Sequence, residues 1–126
     1  MSRAALFVAW VCAAPAFAET IYFAGIPDLP VAPGLTASAG LLAIFSTGRG
    51  DLVVTAARGP AAPRSVERFY MESLSALGWA YEPAPRDQGL NFQRGRERLT
   101  LHIEPQDGGT YMSVRLLARP APSNSD

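Results

Sequence analysis

The sequence predicts an α+β domain: an antiparallel sheet of about five strands with one amphipathic helix packed on one face, in the order ββαβββ. Three observations predict it. Apolar residues recur at helical spacing in only one stretch, around 64–77, and short apolar or alternating runs on either side of it are cut by glycine-, aspartate- and proline-rich turns. The composition, 48% hydrophobic and 17% charged over 126 residues, suits one small globular domain and argues against a disordered chain or a multidomain enzyme.

Residues 1–18 read as an export leader. Arg3 gives a short positive start, residues 4–14 are apolar, Pro15 breaks the run, and Ala16-Phe17-Ala18 offers small residues to signal peptidase, so cleavage is expected after Ala18. The run is too short to span a hydrocarbon core of about 30 Å, and no second apolar segment of about 20 residues follows, so no transmembrane segment is expected in the mature chain. Cys12 is read as leader filler, because the bulky Trp10 and Val11 before it do not suit lipidation. Beyond it the chain has no cysteine, so neither a disulfide nor a thiol nucleophile is available. The expected location is the periplasm or the exterior.

Residues 19–40 are expected to form a proline-rich extended strap. Pro27, Pro30 and Pro33 recur at three-residue spacing and forbid helix, while Ile26, Leu29, Val31 and Leu35 supply an apolar side that can lie along the domain. A single domain is expected over 41–119. It opens with a β-hairpin, residues 41–47 and 52–58 around Gly48-Arg49-Gly50-Asp51. The adhesion tripeptide within that quartet is read as turn chemistry, since a tight turn needs glycine and aspartate anyway.

After the proline-rich break at 59–63, Val66, Phe69, Tyr70, Leu74 and Leu77 define the apolar side of a helix over 64–77, with Ser65 as its expected cap and Gly78 as its stop. Further strands are expected at 79–82, 90–94, 98–104 and 110–119, where Leu99, Leu101 and Ile103 alternate with Thr100, His102 and Glu104, and Met112, Val114 and Leu116 with Ser113, Arg115 and Leu117. The helix is expected on the apolar side of this meander. Residues 120–126 read as a disordered polar tail.

Charge and motif content narrow the chemistry. Eleven acidic groups balance eleven basic ones, all of them arginine, so no long-range field gathers nucleic acid, and none is expected as a partner. The densest basic run, Arg94-Gly95-Arg96-Glu97-Arg98, lacks interleaved aromatic residues and reads as a solvated turn. One histidine, His102, has no evident base-orienting partner, and no serine lies in a nucleophile elbow. No metal-ligand spacing, paired-carboxylate arrangement or phosphate-binding glycine loop is present, so no cofactor, metal or enzymatic activity is expected. The surface left for recognition is the polar sheet face, for which Gln93, His102 and Arg115 are the candidate binding residues.

Three groups of residues carry a resemblance: Ile26-Pro27-Asp28-Leu29-Pro30 with Pro33-Gly34-Leu35; Val66, Phe69-Tyr70, Leu74 and Gly78-Trp79; and Leu90, Phe92, Arg94, Leu99 and Leu101. Together they resemble small exported proteins of Gram-negative bacteria. The resemblance implies a periplasmic strand-strand-helix-strand-strand-strand unit and brings no activity or catalytic residues with it. The expected function is therefore a non-enzymatic periplasmic interaction or accessory module with an envelope protein as partner. The alternative is a small carrier holding an apolar or amphipathic ligand between helix and sheet, near Phe69, Tyr70, Trp79, Tyr81 and Phe92.

Overall fold

The computed structural model describes residues 20–120. The expected leader at 1–18 and residues 121–126 of the expected tail lie outside the described residues. Nine strands and one α-helix follow in order: β1 (Tyr22–Phe23), β2 (Ile26–Pro30), β3 (Thr36–Ala37), β4 (Ala43–Thr47), β5 (Gly50–Gly59), α1 (Pro63–Ala76), β6 (Ala80–Glu82), β7 (Leu90–Arg94), β8 (Glu97–Gln106) and β9 (Gly109–Ala118).

The fold class is α+β, but the five-stranded ββαβββ arrangement is not what forms. Seven strands build one antiparallel sheet in the order β3-β5-β9-β8-β7-β6, with β4 also paired to β5, and β1 and β2 form a second, two-stranded sheet. The difference lies before the helix. At ten residues, β5 is long enough for two short partners on the edge opposite β9: β4 along Gly50 to Val54, and β3 at Ala57 and Arg58. Between them a 3-10 turn at Ala39–Leu41 interrupts the edge, and Ser38 N–H still donates to Ala56 O at 2.8 Å. The proline-rich segment also pairs, because β2 needs hydrogen bonds on one side only and its prolines are tolerated there.

Helix α1 begins one residue earlier than its spacing suggested. Ala62 is the N-cap and Pro63 occupies the first helical position, where a missing N–H costs nothing. Ser65 therefore lies inside the first turn and does not cap it, its N–H donating to Ala62 O at 3.0 Å. The helix ends as expected: Gly78 adopts φ +89°, Trp79 N–H reaches Leu74 O at 2.9 Å and Gly78 N–H reaches Ser75 O at 3.3 Å, which together make a Schellman motif.

Strand alternation sorts the sheet into two faces. Phe92, Leu99, Leu101, Val114 and Met112 are fully buried on the inner face, beneath Val66, Tyr70 and Leu74 of the helix. The strap completes that cover. Phe23, Ile26 and Leu29 are buried in the same core, and the space a side chain would need at Gly25 is filled by Leu42, Val53 and Ile44. Tyr70 bolts the two covers together, since its hydroxyl donates to Pro30 O at 2.8 Å and accepts from Ala32 N–H at 3.0 Å. Arg94 makes a second tie. Its guanidinium bridges Asp28 of β2 at 2.5 Å and Glu97 at 3.0 Å, donates to Leu77 O at 3.2 Å and stacks 4.3 Å from the centre of the Trp79 ring.

Candidate functional site

The face away from the helix is built from rungs of paired residues. One rung runs Phe45, Leu52, Leu117, Arg98, Gln93 across β4, β5, β9, β8 and β7; the next runs Ala43, Val54, Arg115, Thr100, Asn91; a third pairs Ala56, Ser113 and His102. The expected binding residues Gln93, His102 and Arg115 thus share this face, which the strap leaves uncovered, but each lies on a different rung. Arg115 and His102 are diagonal neighbours, whereas Gln93 is two rungs from His102, about 13 Å along the strands. They share a surface without converging on one point.

Much of the polarity on this face serves the sheet itself. Arg98 pairs with Glu82 at 2.7 Å, Thr100 Oγ1 donates to Asn91 Oδ1 at 2.9 Å, and Asn91 Nδ2 donates to Gln88 O at 3.1 Å, which fixes the turn before β7. The half-buried His102 packs its ring over Gly89, whose φ of +72° and lack of a side chain make room for it. Among the described residues, no group of three or more His, Cys, Asp or Glu is placed to hold a metal ion.

Toward β4 the outer face becomes apolar. Leu52, Val54 and Leu117 are half-buried, and Phe45 continues their surface at 54% exposure, while Ile44 on the other side of the same strand is 57% exposed. Among the described residues β4 pairs with β5 alone, so one row of its backbone N–H and C=O groups has no strand partner. The run 41–47 has neither a charge nor a proline. Strand edges are normally blunted by such residues, by shortness or by cover. At the opposite edge β6 has these protections, being three residues long with Glu82 at its end and Pro83 next.

A concave site lies on the inner side. Between the flank of α1 and strands β6 to β8 runs a groove of about 850 Å³, with Arg64, Glu67, Arg68 and Met71 on the helix side and Tyr81, Leu90, Leu101 and Ile103 on the sheet side. Of the five aromatic residues expected around a ligand, Tyr70, Trp79 and Phe92 are consumed by the packed core. Tyr81 lines the groove, its ring tilted against Phe92 at 5.6 Å, and Phe69 lines a separate cleft of about 230 Å³ beside the strap.

The sequence reading did not single out β4 as the exposed edge and missed the arginine pair of the groove. The signals for them were the uncharged run at 41–47 and the four-residue spacing of Arg64 and Arg68. Among the described residues no helix is long and apolar enough to cross a membrane. In comparisons with known proteins, no family model, no curated protein and no solved structure matches this chain.

Proposed function

We propose that this chain is a non-catalytic binding module of the periplasm which, after its leader is removed, takes an extended segment of an envelope protein onto β4 as an additional strand. The observation that carries this reading is the edge itself: five residues of strand with an unpaired backbone row, no charge and no proline, and two large apolar side chains more than half exposed on opposite faces. In strand addition the main chain supplies affinity and alternate side chains supply specificity. Ile44 and Phe45 fit that role, and Phe45 would let a partner's side chains continue the apolar row of Leu52 and Leu117. Gln93, His102 and Arg115 lie further across the same outer face and offer a polar surface to whatever extends beyond the added strand.

The test is site-specific photo-crosslinking in the native host, with the crosslinking group at Ser46 and, as a control, at Gln93. The expected result is one dominant envelope protein attached at Ser46 and lost when Ile44→Lys and Phe45→Lys are introduced together, with the unfolding midpoint unchanged. No adduct at Ser46, the same adducts at Gln93, or adducts indifferent to the two lysines would overturn the reading.

A further inference from the structure

The groove beside α1 has a chemistry that strand addition at β4 does not use. Arg64 and Arg68 are one helical turn apart, so their side chains are neighbours on one flank of the helix, and both are exposed at the groove's rim. Neither makes a salt bridge among the described residues, whereas Arg94 pairs with Asp28 and Glu97, and Arg98 with Glu82. Two like charges at this spacing repel each other, and the single carboxylate of Glu67 leaves the rim with a net positive charge.

Below the rim part of the floor is made of apolar side chains. Leu90 and Leu101 are paired across β7 and β8, Ile103 follows two residues along β8, and Met71 faces them from the helix. Leu101 is fully buried, while Met71, Leu90 and Ile103 remain half-buried, so these three still have apolar surface to cover. The aliphatic part of the floor lies on the adjacent strands β7 and β8, with Tyr81 of β6 beside it, and forms a strip along which an alkyl chain can lie. The volume of about 850 Å³ is that of an ordinary small-molecule site.

We propose that this groove binds a single-chain anionic amphiphile, with the head group on Arg64 and Arg68 and the alkyl chain laid along Met71, Leu90 and Ile103. Guanidinium forks pair with carboxylate and phosphate oxygens two at a time, which suits a compact anionic head and gives no hold on a cationic one. A nucleotide is a poorer fit, because Tyr81 is the only aromatic ring in the lining and no stacking platform accompanies the arginines.

Isothermal titration of the exported, purified protein tests this, using straight-chain carboxylates from octanoate to tetradecanoate below their micelle concentrations. One molecule per chain is expected, binding up to about fourfold more tightly per added methylene until the groove is filled. Dodecyl phosphate should also bind, and dodecyltrimethylammonium should not. Tighter binding of the phosphate would point to a lysophospholipid source, and tighter binding of the carboxylate to a free fatty acid. Replacing Arg64→Gln and Arg68→Gln together should weaken dodecanoate about tenfold or more and erase its advantage over dodecanol. Met71→Glu should abolish binding with the unfolding midpoint retained. Affinity that ignores chain length, equal binding of the cationic amphiphile, or indifference to the arginine changes would overturn the proposal. The β4 lysine variants should bind dodecanoate normally, so failure of either proposal leaves the other standing.

Discussion

Replacing Tyr70 with Phe removes a single oxygen from the centre of the molecule. The ring stays, so no cavity opens, but Pro30 C=O and Ala32 N–H both lose the partner that the hydroxyl gives them at 2.8 and 3.0 Å. Pro30 and Ala32 are buried, so water does not readily replace it. An unsatisfied buried backbone group costs about 1–3 kcal/mol, and the slightly more apolar ring offsets a little of that, which leaves a net loss of about 2–4 kcal/mol. For a domain near 100 residues this lowers the melting temperature by roughly 10–20 °C. Urea unfolding followed by Trp79 fluorescence measures it, since Trp79 is the only tryptophan among the described residues and is 4% exposed. The midpoint should fall with the slope unchanged, and the Ala32 amide should exchange much faster relative to amides of β8. A loss under about 0.5 kcal/mol with Ala32 still protected would refute the bolt: apolar contacts alone would then be holding the strap to the helix.

Three further outcomes follow from the same contacts. Burial holds the Tyr70 hydroxyl far above the usual tyrosine range, only partly opposed by the hydrogen bond from Ala32. Its stabilising contribution is therefore complete below about pH 10 and lost at up to about 1.4 kcal/mol per pH unit above it; urea midpoints across that range should show this extra slope in the native protein and lack it in Tyr70→Phe. Leu74→Ala, at a fully buried position, should cost about 2–5 kcal/mol in the same urea assay. Phe69→Ala should cost less, about 1–2 kcal/mol, because its half-buried ring loses mainly an edge-to-face contact with Tyr70 at 5.0 Å; equal costs would mean the helix is rotated from the orientation described. Arg94→Met should cost about 1–2 kcal/mol, discounted for the exposure of Asp28, with Arg94→Lys intermediate because an ammonium neither forks nor stacks on Trp79; a neutral Arg94→Met would show that the tie to β2 is screened by solvent.

What could be read from the sequence was what is local and periodic. The spacing of Val66, Tyr70 and Leu74 marked the helix and its buried side, Gly78 marked its end, and alternation in β8 and β9 separated the core residues from Thr100, His102, Ser113 and Arg115. The pairing of residues 20–40 was not legible. Its register is set by partners far along the chain: Tyr70 for Pro30 and Ala32, Arg94 for Asp28, and Arg58 for Thr36. Ser65 looked like a cap because serine is a favoured N-cap residue, but Pro63, which suits a first helical position, has already begun the helix. The outer-face residues were assigned to the right surface, but their spread over three rungs depends on inter-strand register. Of the groove the sequence reading placed only Tyr81, since its walls come from α1, three strands and the segment between β6 and β7, and they meet only in the folded sheet.

The last strand among the described residues is the middle of the sheet. Among the described residues β9 lies between β5 and β8 and is the sole link between β3, β4 and β5 on one side and β6, β7 and β8 on the other. Until residues 109–118 are in place, neither half has an inner neighbour. The strap and helix that cover the sheet then have no continuous surface to close on. A chain ordered only as far as β8 has all its cover and two unconnected pieces of floor. Truncation that removes residues 109–118 should therefore cost far more than the share of the core it takes with it, because it leaves the cover without a continuous sheet to close on.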